Sequence, residues 1–291
     1  MLDKILVVFN PTAGGGKSKQ IFEKFNQFCH ENGLTFKVYT TQKANDVDGI
    51  NGAAADVGIE IVSIFGGDGT LNDVVNSENC RAKKLHIVGS GSGNDFYRLL
   101  YNEISLQQSF EKIINGVLKP IDYGICNQKY FINGVGIGFD GQVAYETASN
   151  TSKFISGKTK YWLSILKNVL VYKSAEYTIK SEKDSINTRA FMISVANGTD
   201  YGGGFKVSPQ SVPNDKYFNL IVINKMLPIL RPFRIPLVEK GAHLNKTYVT
   251  QKMVKKAKIS CTKEQKAHVD GEVLSGKVFE IEWVGQLNFL V

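Results

Sequence analysis

The sequence predicts an α/β lobe followed by a β-rich lobe, on three observations. Over the first 120 or so residues, buried-strand runs alternate with helical stretches. After KPIDYG (119–124) this rhythm gives way to closely spaced strand-like segments with hairpin-type connections. Three glycine-bearing segments of the first part each follow a strand directly, where open α/β sheets bind ligands. A βαβα rhythm implies a mostly parallel sheet covered by helices. The boundary is expected near Asp122, giving lobes of residues 1–122 and 123–291, the last few residues packing back on the first.

The elements follow in order. KILVVF (4–9) is a buried-strand run. In KSKQIFEKFNQFCHENG (17–33), Ile21, Phe22, Phe25, Phe28 and Cys29 fall at helical spacing, and Gly33 fits a stop signal. FKVYTT (36–41) reads as a strand, followed by a polar segment that is helical around GINGAAADVG (49–58). IEIVSIF (59–65) and LHIVGS (85–90) are strands separated by a short helical stretch. Ser105 is placed to cap a helix that buries Leu106, Phe110, Ile113 and Ile114. In the second part, QKYFINGVGIGF, SAEYTIKSE, INTRAFMISVAN, YFNLIVIN, KKAKISC, KAHVDGEVL, KVFEIEWV and QLNFLV read as strands, interrupted by a helical interval over roughly 141–173.

Composition narrows the functional classes. With 43% hydrophobic and 21% charged residues, the 291-residue chain is an ordinary globular one. Its most apolar stretch, YFNLIVINKMLPILRPFRIPLV, is broken by Lys225, Arg231, Arg234 and three prolines, so no membrane span is expected. The N-terminus enters a strand at once, which gives no secretory signal. Cys29, Cys80, Cys126 and Cys261 lie far apart without a CxxC pair, against a zinc site or a disulfide framework. A reducing, cytoplasmic setting is the default expectation. The net charge of +8 points to anionic partners: nucleic acid, nucleotides or an acidic membrane face. Nucleic acid fits least, because the basic residues are not interleaved with aromatics on a recognisable motif.

The three glycine-bearing loops carry the chemistry. FNPTAGGGKSKQ (9–20) ends like a Walker A loop, but Pro11 stands where that pattern needs its first glycine and offers no N–H. Asn10, Thr12 and Gly14–Gly16 remain able to present backbone N–H groups at a helix N-terminus, with Lys17 and Lys19 adding charge. In FGGDGT (65–70), two glycines allow close backbone approach, Asp68 suits a Mg²⁺–phosphate unit, and Asn72 lies one helical turn further on. In GSGSGNDFYR (89–98), Asn94 or Asp95 can cap the next helix.

NPTAGGG, GGDGTLNDVVN and GSGNDFYR, in this order and spacing, resemble the diacylglycerol kinase catalytic family of lipid kinases. The likeness continues through FINGVGIGFDGQVA, YGGGFKVSPQ and HVDGE, and so spans almost the whole chain. It is closest in character to the compact, soluble bacterial branch. The resemblance implies an N-terminal nucleotide-binding lobe like that of NAD kinases and phosphofructokinases, and a C-terminal antiparallel β-sandwich-like lobe. It implies ATP and Mg²⁺ as cofactors and a lipid acceptor at the inner face of a membrane, touched peripherally; a homodimer is left open.

By the same resemblance, the nucleotide lies against Asn10, Pro11, Thr12, Ala13 and Gly14, against Gly66, Gly67, Asp68, Gly69, Thr70, Leu71 and Asn72, and against Ser92, Asn94 and Asp95. Thr40 is a further nucleotide contact, and Ser92 replaces the family's frequent threonine with another hydroxyl. Asp68 would organise the catalytic Mg²⁺. The proton-accepting base lies in HVDGE, with Glu272 favoured and Asp270 kept as its neighbour; Asp270-Gly271 also reads as a type I′ hairpin turn. His268 is read as structural. A structural Mg²⁺ loop matches Val212, Asp215 and Tyr217, although Lys216 stands where the family usually has glycine. The expected reaction is transfer of the γ-phosphate of ATP to the hydroxyl of diacylglycerol or a related lipid, giving phosphatidic acid. A small-molecule kinase of the NAD kinase type, or a non-catalytic nucleotide-binding regulator at a membrane, is the alternative. The segments KTKYWLSILKNVLVYK and MLPILRPFRIPLVEKG are read first as packing on the second lobe's sheet and second as a membrane interface, and Lys252, Lys255, Lys256 and Lys258 form a basic cluster that suits anionic lipid or a solvated face.

Overall fold

The computed structural model describes residues 4–149 and 157–291. The chain divides into two compact units, Met1–Ile121 with Gln286–Val291, and Asp122–Gly285.

The first unit opens with β1 (Ile5–Phe9), a 3₁₀ turn (Ala13–Gly16), α1 (Lys17–Glu31), β2 (Phe36–Thr40) and α2 (Val47–Ala53). It continues through β3 (Ile61–Gly66), α3 (Asp68–Asn76), α4 (Glu78–Arg81), β4 (Lys84–Gly89), α5 (Asp95–Tyr101) and α6 (Leu106–Asn115). The sheet is parallel in the order β2-β1-β3-β4, with Val7 opposite Val38 and Ser63, and Ile64 opposite Ile87. Asn288 and Phe289 extend it in parallel beside Lys84 and Leu85. β1, β3 and β4 are largely apolar, buried runs because both of their faces are covered, whereas the edge strand β2 is partly exposed. On one face, Phe25, Phe28 and Cys29 of α1 pack with Phe65, Val88, Phe110 and Ile113. Ser105 caps α6 through a reciprocal capping box with Gln108. Ile114, expected to be buried, is instead 53% exposed, because Phe110 and Ile113 already complete the buried stripe.

The second unit is antiparallel. It comprises the end of β5 (Leu118–Cys126), β6 (Lys129–Phe131), β7 (Gly134–Gly138), α7 (Phe139–Ser149), α8 (Gly157–Asn168), β8 (Ala175–Ser181) and β9 (Ser185–Ala196). Then follow β10 (Phe218–Asn224), α9 (Arg231–Glu239), β11 (Val249–Val254), β12 (Lys256–Val269) and β13 (Glu272–Leu290). The strand order is β11-β10-β9-β7-β12-β13, and β8 also bridges β9 and β12. The segments expected as KKAKISC and KAHVDGEVL, and as KVFEIEWV and QLNFLV, are continuous through β12 and β13, with an irregularity between Ser260 and Gln265. Part of the expected 141–173 helix, residues 150–156, lies outside the described residues.

Strand periodicity sorts this unit's core. Phe218, Leu220 and Val222 enter a cluster with Val135, Ile193, Val195, Ile259 and Phe279. The alternate residues Ile221 and Ile223 enter a second cluster with Val143 of α7, Ile165 of α8, and Ile235 and Val238 of α9. That is why residues 220–223 of β10 read as an unbroken apolar run: both faces of the strand are covered.

Candidate active site

In the first unit, β1 lies between β2 and β3, so the connections leaving β1 and β3 run in opposite directions along the sheet. Such a switch point opens a crevice at the carboxyl ends of the strands. The loops after β1, β3 and β4 are tied together there.

Asn10 laces the first loop to the second. Its Nδ2 donates to Thr70 Oγ1 at 3.1 Å, and its Oδ1 accepts from the Thr12 N–H and hydroxyl at 3.1 and 2.9 Å. Its own N–H donates to the Phe65 carbonyl. Pro11 and Ala13 complete this turn, with the Ala13 N–H returning to the Asn10 carbonyl. Gly14, Gly15 and Gly16 all take positive φ, of 60°, 68° and 95°. A Cβ on Gly14 would stand 2.3 Å from the Ser90 carbonyl oxygen, so here only glycine fits. Beyond them α1 starts with no side-chain cap and no acidic residue in its first turn. Its N–H groups and positive dipole end suit an anion.

The second and third loops meet backbone to backbone. A Cβ on Gly91 would lie 2.4 Å from Gly67 Cα, and the Gly66 carbonyl accepts from the N–H groups of Ser90 and Gly91 at 3.0 and 3.1 Å. Asn94, at φ 55°, clamps the third loop by exchanging two hydrogen bonds with the Gly91 backbone. Neither Asn94 nor Asp95 caps α5, contrary to expectation. The first N–H groups of α5 face the β3–α3 turn, and Asp68 takes the job: Oδ2 and Oδ1 accept from the Asp95 and Phe96 N–H groups, each at 3.2 Å. The buried Asp95 carboxylate is engaged by Arg98, whose guanidinium also reaches the Gly93 carbonyl.

α3 begins at Asp68 itself, so Gly69, Thr70 and Leu71 form its first turn and Asn72 lies one turn along, buried. Thr40 ends β2 in register with Phe9, and its carbonyl accepts from Gln42. Ser92 is exposed in the third loop. Ser18 and Ser90 were not singled out in the sequence; their hydroxyls meet at 3.1 Å and join α1 to the third loop. Isolated serines give no spacing signal.

In the second unit, Asp270 and Gly271 join β12 to β13 with φ of 48° and 89°, as a type I′ turn requires. The Asp270 carboxylate accepts from the backbone N–H groups of Ile132, Asn133 and Gly134 at 2.8, 3.0 and 2.7 Å. It clamps the β6–β7 connection. Glu272 is the next strand residue, with a side chain 32% exposed and Lys129 Nζ at 3.8 Å. His268 is buried and donates from Nε2 to Asp140 Oδ2 at 2.9 Å, while Tyr161 donates to Asp140 Oδ1. Burial opposes charge on both groups. The attraction between them outweighs it, holding the His268 pKa above and the Asp140 pKa below their ordinary values. Gly136 makes room for the pair, since a Cβ there would stand 2.1 Å from Asp140 Oδ2. Asp140 lies in the motif FINGVGIGFDGQVA, but nothing local pairs it with His268, which is 128 residues away.

Residues 4–126 match the diacylglycerol kinase catalytic domain, and residues 133–286 match the YegS C-terminal NAD kinase beta sandwich-like domain. The chain belongs to the diacylglycerol kinase catalytic-domain family. It is an enzyme of the lipid kinase type, with an α/β catalytic domain and a β-sandwich-like C-terminal domain. Among its relatives, a diacylglycerol kinase of Staphylococcus carnosus is 27% identical over 274 residues, covering 94% of this chain and 89% of the relative. One from Bacillus subtilis is 27% identical, covering 91% and 88%. A crystal structure of a diacylglycerol kinase from Bacillus anthracis superposes with a TM-score of 0.72 at 19% identity, over 99% of this chain and 96% of that one. A second structure from that organism reaches 0.81 at 22% identity, over 99% and 95%. These structures share the fold.

The loop at Val212, Asp215 and Tyr217 offers this lipid kinase oxygen ligands only. Asp215 Oδ1 accepts from the Tyr217 N–H at 2.9 Å, and the Asp215 N–H approaches the Val212 carbonyl at 3.4 Å. Asp122 accepts from the Lys216 N–H and from Trp283 Nε1. Lys216 takes φ 68°, the conformation that glycine adopts freely, and is exposed, so the turn is kept despite the substitution. Burial and then the Asp122 charge raise the Asp215 pKa. A hard cation would relieve that repulsion, and this donor set suits one. Among the described residues, no group of three or more His, Cys, Asp or Glu forms a preassembled metal cage. Mg²⁺ is commonly held by one or two carboxylates plus water or phosphate, so the residues fit it.

Proposed function

We propose that this lipid kinase transfers the γ-phosphate of ATP to the free hydroxyl of diacylglycerol, giving phosphatidic acid, at the cytoplasmic face of a membrane. The observation that carries the reading is the convergence of three loops around the uncapped start of α1. Relatives named diacylglycerol kinase over most of the chain support the choice of acceptor.

Phosphoryl transfer depends mainly on positioning and charge stabilisation. The N–H groups of Gly14–Gly16 and of the uncapped first turn of α1 receive the phosphates, with the Lys17 and Lys19 side chains adding positive charge. Residues Gly66–Asn72 and Ser92–Asp95 form the opposite wall of the nucleotide site, and Thr40 lies at its edge. Mg²⁺ would be held by Asp68 and, in a separate structural position, by Asp215 with the Val212 and Tyr217 carbonyls. When bound it neutralises phosphate charge. Glu272 takes the proton of the acceptor hydroxyl, while Asp270 fixes the hairpin that presents it.

The test is transfer from labelled ATP with Mg²⁺ to diacylglycerol, sphingosine, undecaprenol and NAD, the lipids in mixed micelles. Labelled phosphatidic acid is expected. Transfer to NAD instead would move the protein to the small-molecule kinases.

A further inference from the structure

Glu272 comes directly after a two-residue turn, so the backbone of that turn sets where its carboxylate stands. Two anchors hold the turn. One is the Asp270 carboxylate on the N–H groups of residues 132–134, with the Asp270 N–H returned to the Gly134 carbonyl at 2.9 Å. The other is His268, whose Nδ1 accepts from the Gly271 N–H at 3.3 Å while its Nε2 donates to Asp140 at 2.9 Å. In the hairpin His268 is paired with Val273 and Val269 with Glu272, so the imidazole and the Glu272 carboxylate leave opposite faces. Any effect of His268 on Glu272 therefore runs through the turn.

The pair is built into its place. Asp140, in the first turn of α7, and His268 are both buried. Tyr161 of α8 donates to Asp140 Oδ1 at 3.0 Å, and the Tyr201 ring stands edge-on to the imidazole with centroids 5.3 Å apart. Two glycines admit the contact. A Cβ on Gly136 would lie 2.4 Å from His268 Nε2, and one on Gly141 would lie 2.2 Å from the Lys266 carbonyl oxygen. A buried ionisable pair is a poor source of stability, since well-packed apolar side chains of similar volume often do as well or better. What such a network supplies when satisfied is a single, rigid arrangement. Here the arrangement joins the end of β12 to α7, to α8 and to the loop at Tyr201.

We propose that His268 and Asp140 are positioning residues for phosphoryl transfer: they hold the Asp270–Gly271 turn so that Glu272 stands where it takes the proton of the acceptor hydroxyl. The inference rests on the lipid kinase reading with Glu272 as the base. Both hydrogen bonds of His268 require the neutral ring with its proton on Nε2. A second proton, on Nδ1, sets a donor against the Gly271 N–H and releases that anchor. The groups facing the ring are Asp140, Tyr201 and, on its own hairpin, Asp270, with Tyr161 behind Asp140. Burial opposes charge on His268, and the Asp140 and Asp270 carboxylates outweigh it, so its pKa lies above 6.5. Turnover should therefore rise with pH through the folded His268 value, opposite to the pair's contribution to stability.

The test is the initial rate of phosphate transfer from ATP with Mg²⁺ to diacylglycerol in mixed micelles, with the full chain, from about pH 5 to 9. Asp140→Leu and His268→Leu should lower kcat by about tenfold or more, as small misplacements of a reacting group do, with KM for ATP within about twofold of the parent's. Asp140→Asn keeps an oxygen for the Nε2 proton and should restore part of that kcat. It removes the charge that holds the His268 pKa up, so its rise in turnover should move to lower pH. His268→Gln keeps a donor toward Asp140 and cannot titrate, so the rise should vanish. Melting temperatures measured beside the rates identify a leucine variant that fails to fold, and the Asp140→Asn profile decides the matter in that case. A purely structural pair would change melting temperatures and leave the pH position of the rise in place. An Asp140→Asn profile superimposed on the parent's, or leucine variants that fold and turn over like the parent, would overturn the inference and leave the reaction standing. A parent that transfers phosphate to no acceptor would overturn both.

Discussion

Asp68 has two separable jobs. Its carboxylate caps α5 through two N–H groups, and it is the group proposed to organise Mg²⁺. Asp68→Ala should cost about 1–2 kcal/mol of stability, as lost caps do, and abolish transfer. Asp68→Asn keeps one of the two accepting oxygens, so urea denaturation should show part of the stability restored while transfer stays lost. The two carboxylates of the hairpin should part in a different way. Asp270→Ala leaves three backbone N–H groups without their acceptor and should cost about 3 kcal/mol or more. Glu272→Gln should leave the melting temperature within a degree or two, since the side chain is partly exposed. A Glu272→Gln enzyme with parental turnover would remove Glu272 as the base. The turn at Asp270-Gly271 was legible in the sequence, and so was the pair of carboxylates from which a base could be drawn. The clamp on residues 132–134 was not legible, because a hydrogen bond across 138 residues leaves no local pattern.

At the scale of elements, the first loop and the β12–β13 hairpin carry the predictions. Gly14 combines φ 60° with a 2.3 Å approach of any Cβ to a backbone oxygen. Gly14→Ala should therefore push the first and third loops apart and weaken ATP binding, measured by calorimetry, more than Gly15→Ala does. Gly15 shares the positive φ but faces open space. The hairpin is tied to α7 through His268 and Asp140. The His268 pKa is raised above 6.5, so its contribution is full below that pH and is lost as pH rises through the folded value. The Asp140 pKa is lowered below 3.8, so its contribution is present above that pH and is lost as pH falls through the folded value. The pair thus stabilises most between those pH values. The parent's melting temperature should decline as pH rises above 6.5, and His268→Gln should be less stable with a flatter decline. An identical pH profile in the variant would contradict the pairing. Helical and strand periodicity made most elements readable, including α1, β3 and the Ser105 cap. Ile114 misled because an apolar residue beside a filled stripe looks like part of it. The helical cover of the β9–β10 face was legible as the favoured reading of its segments, which also suit an interface. The structure divides them: Ile165 and Ile235 face the core, Ile229 and Phe233 do not.

At the scale of the whole molecule, the α/β and β-rich character followed from the change of rhythm after residue 124, and the family match extends over both parts. The meeting of three loops was legible because each follows a strand of a parallel sheet, and such strands end on the same side. The acceptor was not legible, since a lipid pocket depends on shape contributed by distant residues. The most direct measurement of the central claim is a paired one: ATP binding, and transfer of labelled phosphate to diacylglycerol, for the parent and for Glu272→Gln. Equal ATP affinity, phosphatidic acid from the parent, and a loss of about 100-fold or more in the variant are expected when a general base is removed. A parent that binds ATP and transfers no phosphate to diacylglycerol would contradict that claim.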